Sequence, residues 1–342
     1  VIVTRRRALV GGAASMLATT AAAQPIKWYG SGVKRREVRF TGEGGVSLAG
    51  TLVLPLISEI QKVPGVVLIA GSGPTDRDGN NPLIPERVDV LRMIAERLAA
   101  AGIASLRYDK RGIGRSGPRP QGMLAEQERF FLWRHFVADA IAAHAELVRQ
   151  DEIKNYATAF FGHSEGGLVA IAATDAMAAR RPYGLVLAST PGRPLGEIVR
   201  EQIARTAPQF SVEADRIMRE IRDTGHVSAS ASPPLQLIFP AYAGPFLQSV
   251  FAFDPAATLA RLDVPCLLLH GSADGQVVPL VDVQPLLDVL SRRTASGEAL
   301  IVPAVSHNLK TVSGPNDPGF AGPLAPAIAD KFAEWLARLL GA

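Results

Sequence analysis

Three side chains of this chain have the types and the spacing for acyl-transfer chemistry: Ser164, Asp274 and His307. Ser164 is the centre of Gly162-His163-Ser164-Glu165-Gly166, a Gly-x-Ser-x-Gly sequence between a short apolar strand pattern, Thr158 to Phe161, and a helix-forming run from Leu168 to Arg180. A serine on such a strand-to-helix turn has a strained backbone. The glycines two places either side let neighbouring elements pack close, and the hydroxyl stands clear of the sheet. At its free pKa a serine is a poor nucleophile, so the turn means chemistry only with a base, an acid and an oxyanion hole supplied from elsewhere.

The base of such a turn is expected after the last strand, where Ala304-Val305-Ser306-His307-Asn308 lies. An imidazole takes the serine proton and later hands it to the leaving group because its pKa lies near working pH. Of the six histidines, His135 and His144 fall in a helical pattern, His163 is inside the serine turn, His226 is in an inserted segment, and His270 ends a strand. Only His307 falls on a loop at the right end of the sheet. The acid is expected after the preceding strand, which puts Asp274 in the turn Ser272-Ala273-Asp274-Gly275, where a carboxylate can fix the imidazole tautomer. Asp254, Asp263 and Asp282 compete for that role, but Asp254 reads as a helix start, Asp263 ends a helix and Asp282 lies past the turn. Two backbone N–H groups complete the set: that of Glu165, and one from the loop Gly71-Ser72-Gly73-Pro74, with Ser72 the first choice of donor and Gly73 the second.

Positioning these groups requires a scaffold, and the pattern of elements supplies one. Val38 to Thr41 and Val46 to Leu54 read as a hairpin at an antiparallel edge, and Val63 to Ala70 as a strand buried on both faces of a parallel sheet. Further strands at Ala104 to Tyr108, Gly184 to Ala188, Cys266 to His270 and Ala299 to Pro303 alternate with helices at about Val88 to Ala101, Gln127 to Arg149, Val283 to Arg293 and Pro326 to Leu340. This is an α/β chain with a mostly parallel sheet and helices on both faces. From 193 to 253 the alternation lapses into two amphipathic helices and an aromatic stretch, which reads as an inserted lid over the site. Phe239, Tyr242, Phe246 and Phe251 there form either an acyl-binding wall or the anchors that hold the lid to the core. The core is accordingly expected in two parts, 24–192 and 254–342.

Composition agrees with a packed globular chain, at 47% hydrophobic and 20% charged residues. The net charge of +4 owes most of its excess to Arg5, Arg6 and Arg7, and without them 33 basic residues face 32 acidic ones. So small a balance gives no electrostatic case for nucleic acid or an anionic membrane as partner. Cys266 is the single cysteine and reads as core filler. The arginines, the Gly/Ala-rich run after them and Ala21-Ala22-Ala23 match a signal peptide over 1–23 of the twin-arginine type, predicting a periplasmic or secreted protein. A basic tail and an uncleaved anchor are the alternatives. The run is too short and too glycine-broken for a comfortable transmembrane helix.

The serine turn, the Asp274 and His307 loops and Asp109-Lys110-Arg111-Gly112-Ile113-Gly114-Arg115-Ser116 resemble the α/β-hydrolase superfamily from about Lys34 to Leu340. Within it, Gly-Ser-Gly-Pro-Thr-Asp-Arg-Asp at 71 to 78, with Gly-His-Ser-Glu-Gly-Gly at 162 to 167, is similar to bacterial carboxylesterases of the EstD type. The resemblance implies hydrolysis of small-molecule carboxylic esters of short to medium acyl chain. Thioesterases, peptidases and acyltransferases use the same triad, and a non-catalytic binder of apolar ligands is the rival from another class. Gly112-Ile113-Gly114-Arg115-Ser116-Gly117 matches a dinucleotide motif, but Pro118-Arg119-Pro120 follows it and no helix opens there. Neither a cofactor nor a metal is implied, nor stable membrane insertion after processing; oligomeric state is left open.

Overall fold

The computed structural model describes residues 2–4, 32–228 and 230–342, so the rest of the expected leader over 1–23 lies outside the described residues. Among those residues one sheet holds nine strands: β1 (Ile2–Thr4), β2 (Val33–Thr41), β3 (Ser47–Pro55), β4 (Val63–Ile69), β5 (Ala104–Tyr108), β6 (Ile153–His163), β7 (Gly184–Ala188), β8 (Cys266–Gly271) and β9 (Gly297–Val302). Their order is β1-β9-β8-β7-β6-β4-β5-β3-β2. From β9 to β5 all pairings are parallel, while β2, β3 and β1 run antiparallel to their neighbours.

Helices cover both faces. One face carries α1 (Val90–Ala100) and the last helix, α12 (Pro326–Leu340). The other carries α3 (Trp133–Val148) and α4 (Glu165–Ala176), with α9 (Pro255–Arg261) and α11 (Gln284–Arg292). The short helices α2 (Leu124–Phe130) and α10 (Pro279–Asp282) lie beside the loops. A sheet covered twice needs apolar side chains at consecutive positions. In β4, Val63, Val67 and Ile69 enter one core and Val66 and Leu68 the other.

Two element boundaries differ from the sequence pattern. The single helix expected over 127–149 is broken between α2 and α3, where Leu132 is extended at ψ 140°. Phe131 there packs at a tilt against Tyr242, ring centroids 4.9 Å apart, and that packing outweighs helical continuity. Conversely α4 starts at Glu165 rather than Leu168, because Gly166 and Gly167 are pressed against Ile69, Ala70 and Thr190 in spite of their poor helix propensity. Between β7 and β8 the helices α5 (Leu195–Thr206), α6 (Ser211–Thr224), α7 (Pro233–Ile238) and α8 (Gly244–Ala252) share a small core of their own around Ile217, Ile221 and Phe239. No helix among the described residues is long and apolar enough to cross a membrane.

Two buried histidines make the fold acid-sensitive. His144, which meets Thr158 Oγ1 at 2.8 Å, and His163 are both pushed down by burial from 6.5 to about 4. As pH falls through 6.5 the unfolded chain takes up protons that the folded chain refuses until about 4, so stability present above that window is lost across it. Urea denaturation at stepped pH should show unfolding free energy falling by up to about 1.4 kcal/mol per pH unit for each histidine, with a shallower slope in His144→Gln. A curve that is flat across the window contradicts this assignment.

Candidate active site

Ser164 joins β6 to α4 with φ 57° and ψ −125°, a conformation side chains rarely adopt. It persists because its surroundings leave no alternative. A Cβ on Gly162 would lie 2.3 Å from the Gly166 carbonyl oxygen, and one on Gly166 would lie 2.2 Å from that of Ile69. The Ser164 N–H donates to Ala188 O at 2.9 Å, tying the turn to the end of β7.

His307, which lines the same cavity as Ser164, meets Asp274. His307 Nδ1 lies 2.8 Å from Asp274 Oδ2, with both side chains buried. Nδ1 therefore carries the proton donated to the carboxylate, which leaves Nε2 as the basic nitrogen. The N–H groups of Gln276 and Val277 donate to Asp274 Oδ1 at 2.8 and 2.9 Å, and His270 Nε2 stands 3.1 Å from Oδ2. Burial pushes the Asp274 carboxyl up, but the His307 and His270 imidazoles more than reverse this and hold it well below the usual carboxylate range. Asp254 instead caps α9 through the Ala257 N–H, and Asp282 accepts from the Val278 N–H and faces Arg193.

Sequence reasoning set aside two histidines that the structure brings to the site. His270 flanks the acid, as above. His163 Nε2–H donates to the His307 carbonyl at 2.9 Å, and Ser189 Oγ donates to the same oxygen at 2.8 Å. The serine turn and the histidine loop are thus joined directly, a contact that no spacing in the sequence announces.

Ser164 and His307 line one cavity of about 530 Å³, together with the proposed donors Ser72, Gly73 and Glu165. Glu165 is the first residue of α4, so its N–H has no acceptor within the helix. Of the four aromatics of the insert, Tyr242, Phe246 and Phe251 line the cavity. Phe239 does not: it follows the last residue of α7 and is fully buried in the insert's own core. Phe131, Phe136, Lys110 and Arg119 also line the cavity and were not expected there. The run Phe130-Phe131-Leu132-Trp133 was the available signal, since four consecutive large apolar residues cannot share one helix face. Phe246 bridges to the core through Trp133 and Phe136, so the cavity wall and the anchoring of the insert are one set of rings.

The acidic and basic residues of the 71–80 loop face the scaffold. Arg77 pairs with Asp109 and Glu37, and Arg107 with Asp78, each at 2.8 Å. Arg111 makes a two-pronged pair with Asp139 that is almost wholly buried, fixing the glycine-rich loop after β5 to α3.

The sequence pattern of the family described as serine aminopeptidase, S33, matches residues 85–309. The chain belongs to that family. The matched stretch contains Ser164, Asp274 and His307 and stops short of the Ser72 loop. Among curated proteins, esterase EstD of Thermotoga maritima is 26% identical over 279 residues, which are 80% of this chain and 62% of the relative's own length. The architecture of this serine aminopeptidase family member is the α/β-hydrolase fold. The α/β hydrolase GrgF from Penicillium sp. sh18 aligns over 90% of this chain and 100% of its own, with TM-score 0.57 and 18% identity. Est1E of Butyrivibrio proteoclasticus, solved with ferulic acid bound, aligns over 89% of this chain and 100% of its own, with TM-score 0.58 and 16% identity.

The tight glycines allow a direct test of the turn. Gly166→Ala should lower the unfolding free energy by about 3 kcal/mol or more by overpacking, or prevent folding, in urea titrations. Gly275→Ala, where a Cβ meets nothing within 4 Å, should stay within about 0.5 kcal/mol of the parent. Equal midpoints for the two variants would contradict the close approach.

Proposed function

We propose that this chain is a serine carboxylesterase that cleaves small-molecule esters of short to medium acyl chain through an acyl-enzyme. Ser164 Oγ attacks the ester carbonyl while His307 Nε2 takes its proton, and Asp274 holds the imidazole in the required tautomer. The N–H groups of Glu165 and Ser72 receive the developing oxyanion. His307 returns the proton to the leaving alcohol, and a water attacking the acyl-enzyme by the same route releases the acid. The observation that carries this reading is the 2.8 Å contact of His307 Nδ1 with Asp274 Oδ2 at the wall of a cavity that Ser164 also lines. The apolar side of that cavity, formed by Phe131, Phe136, Tyr242, Phe246 and Phe251, supports an acyl or aryl group in the substrate, and residues 193–253 serve as the lid. The curated esterase relative supports the ester bond as the one cleaved.

A fluorophosphonate should label the wild-type protein with burst kinetics and leave Ser164→Ala unlabelled. On p-nitrophenyl esters of stepped chain length, Asp274→Asn should retain ~10⁻⁴ of kcat, the penalty for holding the wrong tautomer. Amide and thioester analogues belong in the same assay, where faster turnover of either one displaces the ester reading. A folded wild-type protein that takes no label favours the binding-protein alternative.

The same reading includes export. Arg5-Arg6-Arg7, the Gly/Ala-rich run and Ala21-Ala22-Ala23 support a twin-arginine leader cleaved after Ala23, which also removes β1 and leaves β9 as the sheet edge. Mass spectrometry of periplasmic material should find Gln24 at the mature N-terminus. Recovery of only the unprocessed chain, and only from the cytosol, counts against it.

A further inference from the structure

The loop that follows β4 has no helix or strand to orient its peptide groups, yet the carbonyls of Gly71, Ser72 and Gly73 are all held. Buried Lys110 donates through Nζ to Gly71 O at 2.5 Å and to Gly73 O at 2.8 Å, and Thr75 Oγ1 donates to Ser72 O at 2.7 Å. The N–H groups of Ser72 and Gly73, by contrast, have no acceptor among the described residues, and both residues are exposed where they line the cavity. In a trans peptide the C=O of one residue and the N–H of the next point in opposite directions. Fixing the Gly71 carbonyl on Lys110 therefore turns the Ser72 N–H the other way. Because Pro74 has no N–H, the second contact of Lys110 anchors the far side of the loop without directing any donor. The loop also sits against the nucleophile, since a Cβ on Gly71 would meet Ser164 Cβ at 3.3 Å.

We propose that Lys110 is the positioning residue of the oxyanion hole: by gripping the carbonyls of Gly71 and Gly73 it aims the Ser72 N–H at the charge that develops on the attacked carbonyl. This rests on the acyl-transfer reading of Ser164. Lys110 has no carboxylate within ion-pair distance among the described residues, and Glu165 is the acid whose charge acts on it. Burial lowers the Lys110 pKa and raises that of Glu165, while each opposes the shift of the other. A lysine buried this deeply would be replaced without loss by an apolar chain if packing were its only task. Its value lies in N–H groups that stay in place as the substrate carbonyl becomes tetrahedral, so that no reorganisation is needed at that moment.

The test is steady-state kinetics of wild type, Lys110→Met and Lys110→Gln on p-nitrophenyl butyrate, with affinity for phenylboronic acid, which forms a tetrahedral adduct on the serine. Lys110→Met is expected to lose ~100-fold in kcat and in boronate affinity with KM within about twofold, because the misaimed donor matters only to the tetrahedral state. Lys110→Gln is expected to recover part of both, since its amide N–H can hold one of the two carbonyls. A folded Lys110→Met with kcat and boronate affinity within about threefold of wild type overturns the inference. So does a loss that falls on KM alone. Should Lys110→Met not fold, the same split read on Lys110→Gln decides. A wild-type protein that turns over no acyl substrate overturns the underlying reading as well, which separates the two failures.

Discussion

The backbone of Ser164 is the constraint on which the rest of this molecule depends. At φ 57° and ψ −125° it holds a conformation that costs an L residue about 1 to 3 kcal/mol, and the chain would relax if anything around it gave way. Nothing does, because β6 and α4 converge on the turn so closely that a Cβ at Gly162 or Gly166 would overlap a carbonyl oxygen. The consequence is a hydroxyl at the head of the sheet and a helix N-terminus beneath it. The same closeness brings the Gly71 loop against the serine, so one tight turn fixes both Ser164 and the loop beside it.

The second requirement is to hold an imidazole that arrives from far along the chain. His307 is held from both ends: its ring by Asp274, and its backbone carbonyl by His163 and Ser189. His163 is part of the serine turn, so the Ser164 turn and the His307 loop are tied by a direct hydrogen bond. Asp274 is held in turn by two backbone N–H groups and by His270, which stabilise the carboxylate in spite of its burial. Such a cluster is costly to bury and pays off only when every group has its partner.

The insert between β7 and β8 solves a different problem. It buries Ile217, Ile221 and Phe239 in a core of its own, and the cavity-lining Ile203, Ala243 and Leu247 belong to that same core. Its ring contacts with the body of the protein include Tyr242 against Phe131 and Phe246 against Trp133 and Phe136. Polar ties from α5 reach the turn that carries Asp274, where Arg205 donates to Gly275 O at 2.7 Å. A movement of the insert would accordingly be felt at both the cavity wall and the Asp274 turn.

Local chemistry made much of this legible from residues alone. Continuous apolar runs at β4 and β8 can be satisfied only inside a doubly covered sheet, and Gly-x-Ser-x-Gly after such a run marks the strained turn. Loops after the last two strands offered Asp274 and His307, because a parallel sheet places the ends of its strands together. What escaped were features decided by contacts distant in sequence. The break at Leu132 depends on Phe131 meeting Tyr242, and the early start of α4 depends on a surface that accepts no side chain. Phe239 and Phe246 look alike in sequence, yet one fills the core of the insert and the other lines the cavity. Sequence by itself determined the architecture and singled out Ser164, Asp274 and His307 in that order as candidates, since periodicity and turn chemistry act over a few residues. Only the tertiary structure decided what holds these loops in place, because Lys110 meets Gly71, His163 meets His307 and His270 meets Asp274 through contacts that the fold, and not the chain, brings near.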